Sequence, residues 1–272
     1  MGVVPAAAGW LFLASVGVAQ EPPSLPEGNA YIRSLRAEQR QQDDAINAFT
    51  YDLEETRENL NKKGVVSSKT TLKYQVYYVK ARQVRRLVAK NGVPLSAKEQ
   101  AAVDRKAADR ARDIREGRVV TEQAGVRLSR LFDSFEFKTL GRIERGGRPA
   151  IELEFQPRKD HPQGAEALGV GDRLITMLSG QVAIDEADKR VVRLEARSDE
   201  HLRASVSTGI KLGTIDFMVE FSSLGEGVWL PLKIESYATG RAFLFVAFRV
   251  RQTSTYSNYR KFKVDTEEKP VG

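Results

Sequence analysis

Gly180-Gln-Val-Ala-Ile-Asp185, the polar cluster Glu186-Ala-Asp188-Lys189, and then Arg190-Val-Val-Arg-Leu-Glu-Ala-Arg197 read as two strands joined by a turn. The same rhythm continues through residues 202–211, 215–222, 228–239, 242–251 and 258–264. These runs are rich in Val, Ile, Phe and Tyr and are broken by Gly or Asp clusters, the pattern of an antiparallel meander. Each strand needs an apolar cover for its inner face, and the rest of the chain supplies it. The predicted class is α+β, an antiparallel sheet filled by helices.

Upstream, the spacing predicts a helix over 31–48, with Tyr31, Leu35, Ala45 and Ile46 as its apolar stripe. Period-two alternation starts at Phe49, and Lys62-Lys63-Gly64 is a turn. A long strand over 66–79 places Thr70, Leu72, Tyr74, Val76 and Tyr78 on one face, and 84–89 returns as a hairpin. Asn91-Gly92 is a turn dipeptide, and Ser96 with Glu99 forms a capping box that opens a helix ending at Gly117. Arg105 with Asp109 and Arg112 with Glu116 are spaced as i,i+4 pairs. The stripe Val103, Ala107, Ala111 and Ile114 is thin, so this helix docks lightly, covers a cavity as a movable lid, or is a surface excursion. A second helix over 122–133, a hairpin of 135–145 with 148–156 about Gly146-Gly147, and a short helix over 172–178 complete the reading.

The 272 residues fit one large domain or two small ones. With no cysteine, disulfides, thiolate nucleophiles and Cys-based metal sites are excluded, as is a lipid-modified mature N-terminus. The formal net charge is +7, and Lys80 to Arg130 alone holds 14 Lys/Arg against 6 Asp/Glu. Such a region suits an anionic partner, or is a solvated helix face. Residues 6–19 match a signal-peptide apolar core, with Gly17 and Ala19 at the small positions before Glu21-Pro-Pro, although no Lys or Arg precedes it. An exported, periplasmic protein follows, which argues against nucleic acid as the partner.

Ala242-Phe-Leu-Phe-Val-Ala-Phe248 is apolar on both sides, where a half-buried strand would alternate. Phe217, Val219 and Phe221 backed by Met218, and Leu230, Leu232 and Ile234 backed by Trp229, show the same excess. A sheet curved around an apolar hollow satisfies this, and so do internal helices that fill the hollow. The candidate lipid-binding residues are Phe217, Val219, Phe221, Trp229, Leu230, Leu232, Phe243, Phe245 and Phe248. Arg82, Arg85 and Arg86 are the candidates for an anionic headgroup or partner. No nucleophile elbow, phosphate loop or dinucleotide fingerprint occurs, and His161 and His201 lie far apart among polar neighbours. Asp185, Glu186 and Asp188 sit in a turn, where acids serve the backbone. No catalytic residue, metal or cofactor is assigned.

Gly180-Gln-Val-Ala-Ile-Asp185 followed by Arg190-Val-Val-Arg-Leu-Glu195 resembles a hairpin of exported proteins similar to outer-membrane lipoprotein-sorting factors, the LolA-like superfamily. Gly227-Val-Trp229-Leu-Pro231 resembles a strand opening of the same group, and Arg85 through Ser96 resembles a poorly characterised bacterial exported subset. The resemblance implies a strongly curved antiparallel sheet, an open half-barrel, with helices covering its concave side. It implies a signal peptide over 1–19, a linker over 20–30, one domain over 31–264 with a helical insertion at 94–133, and a tail over 265–272. It also implies a non-enzymatic carrier whose partners are lipid or lipoprotein acyl chains; the basic region adds an anionic membrane surface as a further expected partner. The alternative within the same group is an envelope-stress sensor or protein-interaction module without ligand transport. An enzyme acting on an envelope polymer is a third, and would need carboxylates converging in a polar cleft.

Overall fold

The computed structural model describes residues 24–118, 128–158, 177–198, 205–206, 210–242 and 246–262. The apolar segment 6–19, both histidines, Phe243 and Phe245 lie outside the described residues. So do 122–127 and 172–176, and with them half of one expected helix and most of another. Leu178, expected at the end of the second of these, instead opens a strand.

The strands are β1 (Phe49–Leu60), β2 (Val66–Val79), β3 (Arg82–Lys90), β4 (Val93–Pro94), β5 (Phe135–Arg145) and β6 (Arg148–Pro157). Then follow β7 (Leu178–Asp185), β8 (Val191–Ser198), β9 (Ser205–Val206), β10 (Ile210–Ser223), β11 (Trp229–Ala242) and β12 (Val246–Lys261). All pair antiparallel in one sheet of order β4-β3-β2-β1-β12-β11-β10-β8-β7-β6-β5, with β9 beside β10. The sheet does not close on itself; it is an open half-barrel whose edge strands are β4 and β5.

The turns fold where their residues permit positive φ. Lys80 and Ala81 (φ 46° and 59°) join β2 to β3, and Gly146 and Gly147 (φ 57° and 75°) join β5 to β6, as hairpin twist requires. Gly180 has a different role. A Cβ on it would lie 1.9 Å from the Glu195 carbonyl oxygen, so β7 meets β8 there without room for any side chain.

Three sequence expectations fail on strand length. The stretch 242–248 is not one strand: Ala242 pairs with Val246, so the chain reverses between them. Its apolar character on both sides is therefore not that of a strand covered twice, and Val246 is 62% exposed. The polar stretch before Asn258, read as a break, is instead continuous strand. Asn258 adopts φ 55° beside the register shift against Thr50 and Asp52, so the ladder absorbs an irregularity and continues. In β10, likewise, Gly213 is not a break. A Cβ there would meet the Thr239 hydroxyl at 2.6 Å, and that hydroxyl accepts the Thr214 N–H at 2.9 Å.

Four helices among the described residues pack with the sheet. The expected 31–48 helix divides into α1 (Gly28–Ser34), α2 (Arg36–Ala45) and a 3-10 turn, Ile46–Ala48. The break is at buried Leu35, whose N–H bonds the Ile32 carbonyl three residues back. Glu27 caps α1 through the amides of Asn29 and Ala30. The third helix, α3 (Ala97–Arg115), has its capping box between Ser96 and Glu99, and Gly117 follows at φ 70°. The fourth, α4 (Leu128–Ser134), receives two amide caps from Asp43 of α2, at Leu128 and Ser129.

Registers assign faces, because side chains directly opposite each other share one. Leu53, Tyr256, Tyr74 and Leu87 form one row of the inner face. Val219, Leu194, Val182 and Leu153 continue that face toward β6. The larger core lies on it, where Ile32, Leu35, Leu128 and Phe132 meet Phe137, Leu153, Val182 and Leu194. Gln39 and Gln42 of α2, both buried, tie the helix to the β7–β8 turn through the Lys189 and Val191 backbone.

The basic helix lies elsewhere. Ala107, Ala111 and Ile114 pack on Val84, Tyr77 and Val79, which belong to the opposite, outer face. The α3 helix therefore does not cover the inner face, so it is no lid over a hollow there. The i,i+4 pairs expected on it do not form either. Arg112 bonds Asp109, and Arg118 holds Asp113 and Glu116.

Candidate functional site

The inner face carries two packed regions with a strip between them. At one end is the larger core under α1, α2 and α4. At the other, Tyr51, Leu53 and Val76 are buried among Tyr74, Tyr78, Tyr256 and Tyr259. Tyr51 is the hub: its ring centroid lies 5.2 Å from that of Tyr259 and 5.5 Å from that of Tyr256. Its hydroxyl accepts from Gln83 at 2.8 Å and shares a hydrogen bond with Tyr78 at 3.3 Å. Burial disfavours phenolate, so Tyr51, Tyr78 and Tyr259 are pushed up and Tyr256 rises to about 12.

Between these regions run the inner-face residues of β10, β11, β12, β1 and β2. One row is Ile215, Ala238, Val250; the next is Phe217, Ser236, Gln252, Arg57; the next is Val219, Ile234, Ser254, Glu55, Leu72. Phe217 and Phe221 lean half-buried against the larger core. Ile215, Ile234, Val250, Phe248 and Leu72 are half-buried and belong to none of the packed clusters of described residues. The strip is amphiphilic: aliphatic and aromatic groups alternate along it with Ser, Gln and one ion pair.

That ion pair joins Arg85 to Glu55 at 2.9 Å. Gln83 holds the Arg85 Nε at 2.7 Å, and the guanidinium lies 5.9 Å from the Tyr74 ring centre. The three candidate arginines are not brought together. Strand alternation puts Arg85 on the inner face and Arg82 and Arg86 on the outer one. Arg86 is committed to Asp104 of α3, with two contacts of 2.5 and 3.2 Å, and so pins that helix to the sheet.

The candidate apolar residues also separate. Val219 and Leu230 are buried, Leu232 is 45% exposed beside a register shift, and Phe248 is half-buried on the inner face. Trp229 is committed to the scaffold. Its indole N–H donates to Asp188 at 2.9 Å, and the Arg148 guanidinium lies 5.5 Å from its ring centre.

Arg148 is the residue the sequence did not single out. It donates to both carboxylate oxygens of Asp185, at 2.6 and 3.0 Å, and to Asp188 at 2.8 Å. Asp185 also accepts the amides of Ala187 and Asp188, the backbone service expected of an acid in that turn. Burial raises the Asp185 carboxyl, but these donors outweigh it and hold the group below its ordinary value. Arg142 closes the same turn through a two-pronged pair with Glu186, at 2.7 and 2.8 Å. The two motifs that carry the resemblance, around Asp185 and Trp229, thus meet in one polar joint. The only signal for Arg148 is its place directly after Gly146-Gly147, opposite the acidic turn.

The outer face has an open groove of about 760 Å³ over β6, β7, β8, β10, β11 and β12. Its rows are polar: Gln181, Glu195, Met218 and Glu235 beside Arg197, Asp216, Tyr237 and Arg251. Arg197 is paired with Asp216, and Arg193 with Glu195 and Glu220. No group of His, Asp and Glu among the described residues is placed to hold a metal ion. No helix among them is long and apolar enough to cross a membrane.

No protein-family model and no curated protein matches the chain. Among solved structures it is similar to a domain from Vibrio parahaemolyticus described as an outer membrane lipoprotein-sorting protein, at 11% identity, 89% and 94% coverage of the two chains and TM-score 0.36. It is similar to a DUF1329 family protein from Desulfovibrio piger, at 10% identity, 87% and 94% coverage and TM-score 0.41. A LolA superfamily protein from Nitrosomonas europaea follows at 9% identity, 88% and 96% coverage and TM-score 0.33.

Proposed function

We propose that this chain is an exported, periplasmic binding module that holds an acyl chain, of a lipid or a lipoprotein, along the inner-face strip. One observation carries the reading: Ile215, Ile234, Phe248 and Val250 stay half-buried on the inner face and outside both buried clusters that lie to either side. A flexible chain lying there gains about 0.8 kcal/mol per buried methylene. Ser236, Gln252 and the Arg85–Glu55 pair suit the polar end of the same ligand. Arg85 is the one member of the arginine trio placed for that contact. The proposed role is binding and not catalysis.

The test is native mass spectrometry of protein purified from its own host, with uptake of a fluorescent fatty-acid probe by the delipidated chain. A co-purifying lipid, and probe uptake weakened at least tenfold by Ile234→Asp, are expected. A bare mass with no uptake would end the proposal.

The polar groove on the outer face favours a second reading, a protein-interaction module of the sensor kind. Its alternating charges suit a peptide of mixed charge rather than an acyl chain. Under that reading the Ile234→Asp chain keeps its partner, and Arg197→Glu with Arg251→Glu loses it.

A further inference from the structure

Two turns meet at one end of the sheet. β1 and β2 are joined through residues 61–65, and β12 runs alongside, with Asn59 opposite Val250. Arg249 donates to the carbonyls of Lys62 and Asn61, which fixes the start of β12 to this turn. The strand continues four residues past Val250, to Val246, so its end projects about 13 Å beyond the register pair.

The β1–β2 turn is rigid. The Asn61 side chain accepts the Lys63 and Val65 amides at 2.9 and 3.0 Å, the Gly64 amide bonds the Asn61 carbonyl, and Gly64 takes φ 79°. A turn so tied holds its side chains outward without paying to order them again. Those side chains are Lys62 and Lys63, then Val65 at 59% and Val66 at 44% exposure; Val246, at the projecting end of β12, is 62% exposed. Exposed valines in a firmly built turn have no packing explanation within the described residues.

The charge here has one sign. Residues 59–69 contain three lysines and no acid, and residues 241–251 contain three arginines and no acid. The neighbouring carboxylate, Glu58, is shared by Lys69 at 3.9 Å and Arg251 at 3.3 Å, which leaves the surroundings positive. Lys62 and Lys63 make no ion pair among the described residues.

We propose that this end of the half-barrel docks on an anionic lipid bilayer, with Val65, Val66 and Val246 entering the interface and Lys62 and Lys63 meeting headgroups. A protein interface centres on a broad, closely packed patch with aromatic anchors. Small apolar points projecting beside Lys62 and Lys63, which make no ion pair among the described residues, match the graded polarity of a bilayer surface instead. The proposal does not depend on a ligand in the inner-face strip.

The test is co-sedimentation of the full chain with phosphatidylcholine vesicles and with vesicles holding about a quarter phosphatidylglycerol, at low and high salt. The chain is expected to partition onto the anionic vesicles, to release at high salt, and to leave neutral vesicles largely bare. Lys62→Gln with Lys63→Gln should weaken partitioning roughly thirty-fold, the loss of two basic side chains at a charged surface. Val65→Ser with Val66→Ser should weaken it at any salt. Both pairs lie in an exposed turn, so unchanged thermal melts and unchanged probe uptake verify that the fold and the strip are intact. Equal partitioning on both vesicles, no partitioning at all, or no response to the lysine pair would overturn the proposal.

Discussion

Replacing Asp185 removes the centre of the polar joint. The carboxylate is 1% exposed and accepts four hydrogen bonds, two from Arg148 and two from the amides of Ala187 and Asp188. In Asp185→Ala both amides lose their acceptor and the Arg148 guanidinium keeps only Asp188. Bonds to a charged group are worth about 1.5–3 kcal/mol each, but Arg148 and the turn amides regain water once released. The expected net loss is therefore roughly 3 kcal/mol. At about 2–4 °C per kcal/mol for a large domain, the melting temperature should fall by roughly 6–12 °C. Asp185→Asn keeps one oxygen for the amides and should lose about half as much. Urea unfolding followed by circular dichroism measures both losses.

The same substitution carries a pH signature. The Asp185 carboxyl is held below its ordinary value in the folded chain, so its stabilisation is complete above the unfolded value near 4 and disappears as pH falls through the lower folded one. The gap between the native chain and Asp185→Ala should be constant from about pH 5 to 8 and narrow below about pH 4. A gap under about 0.5 kcal/mol at neutral pH, or one that grows on acidification, would refute the account of this joint.

Gly180→Ala should destabilise the chain by about 3 kcal/mol or more, because the new methyl meets backbone and cannot be relieved by a rotamer change; thermal melts check this, and a chain melting within a degree or two of native would contradict it. The tyrosine cluster predicts a late titration. Six of the eight tyrosines (31, 51, 74, 78, 256 and 259) are raised, so phenolate absorbance at pH 11 should account for well under half of them while the chain is folded. The unfolded chain releases those protons near pH 10, so stability should fall as pH rises beyond that, and the missing absorbance should appear with unfolding.

The turns were legible because their chemistry is local. Gly146-Gly147, Asn91-Gly92 and the Ser96–Glu99 box each act through their own backbone, and each is where its residues indicate. Alternation placed Tyr74, Val76 and Tyr78 on one face correctly for the same reason. What failed needed information from other strands. The run 242–248 looks like a doubly covered strand, but nothing within it tells an apolar core strand from an apolar hairpin end; only the pairing of Ala242 with Val246 does. The polar stretch before Asn258 is unremarkable as strand until β1 and β11 flank it on both sides. Arg82, Arg85 and Arg86 looked like one cluster by proximity, yet a period of two divides them between faces. Arg148 meets Asp185 across a strand pairing that spacing along the chain does not reveal.

The joint between β1 and β12, where Phe49 meets Lys261, unites residues near opposite ends of the described chain. Neighbouring hairpins can form as soon as they leave the ribosome, but this seam has to wait for β12, the last of the described strands, to arrive. Until then β1 keeps one row of amides and carbonyls unpaired, and half of the tyrosine cluster lacks Tyr256 and Tyr259. Such a late, non-local closure slows assembly, and a nascent chain with that border uncovered invites pairing with its neighbours. A truncation ahead of residue 246 would therefore do more than shorten the sheet: it would separate the first four strands, β1 to β4, from β5 to β11.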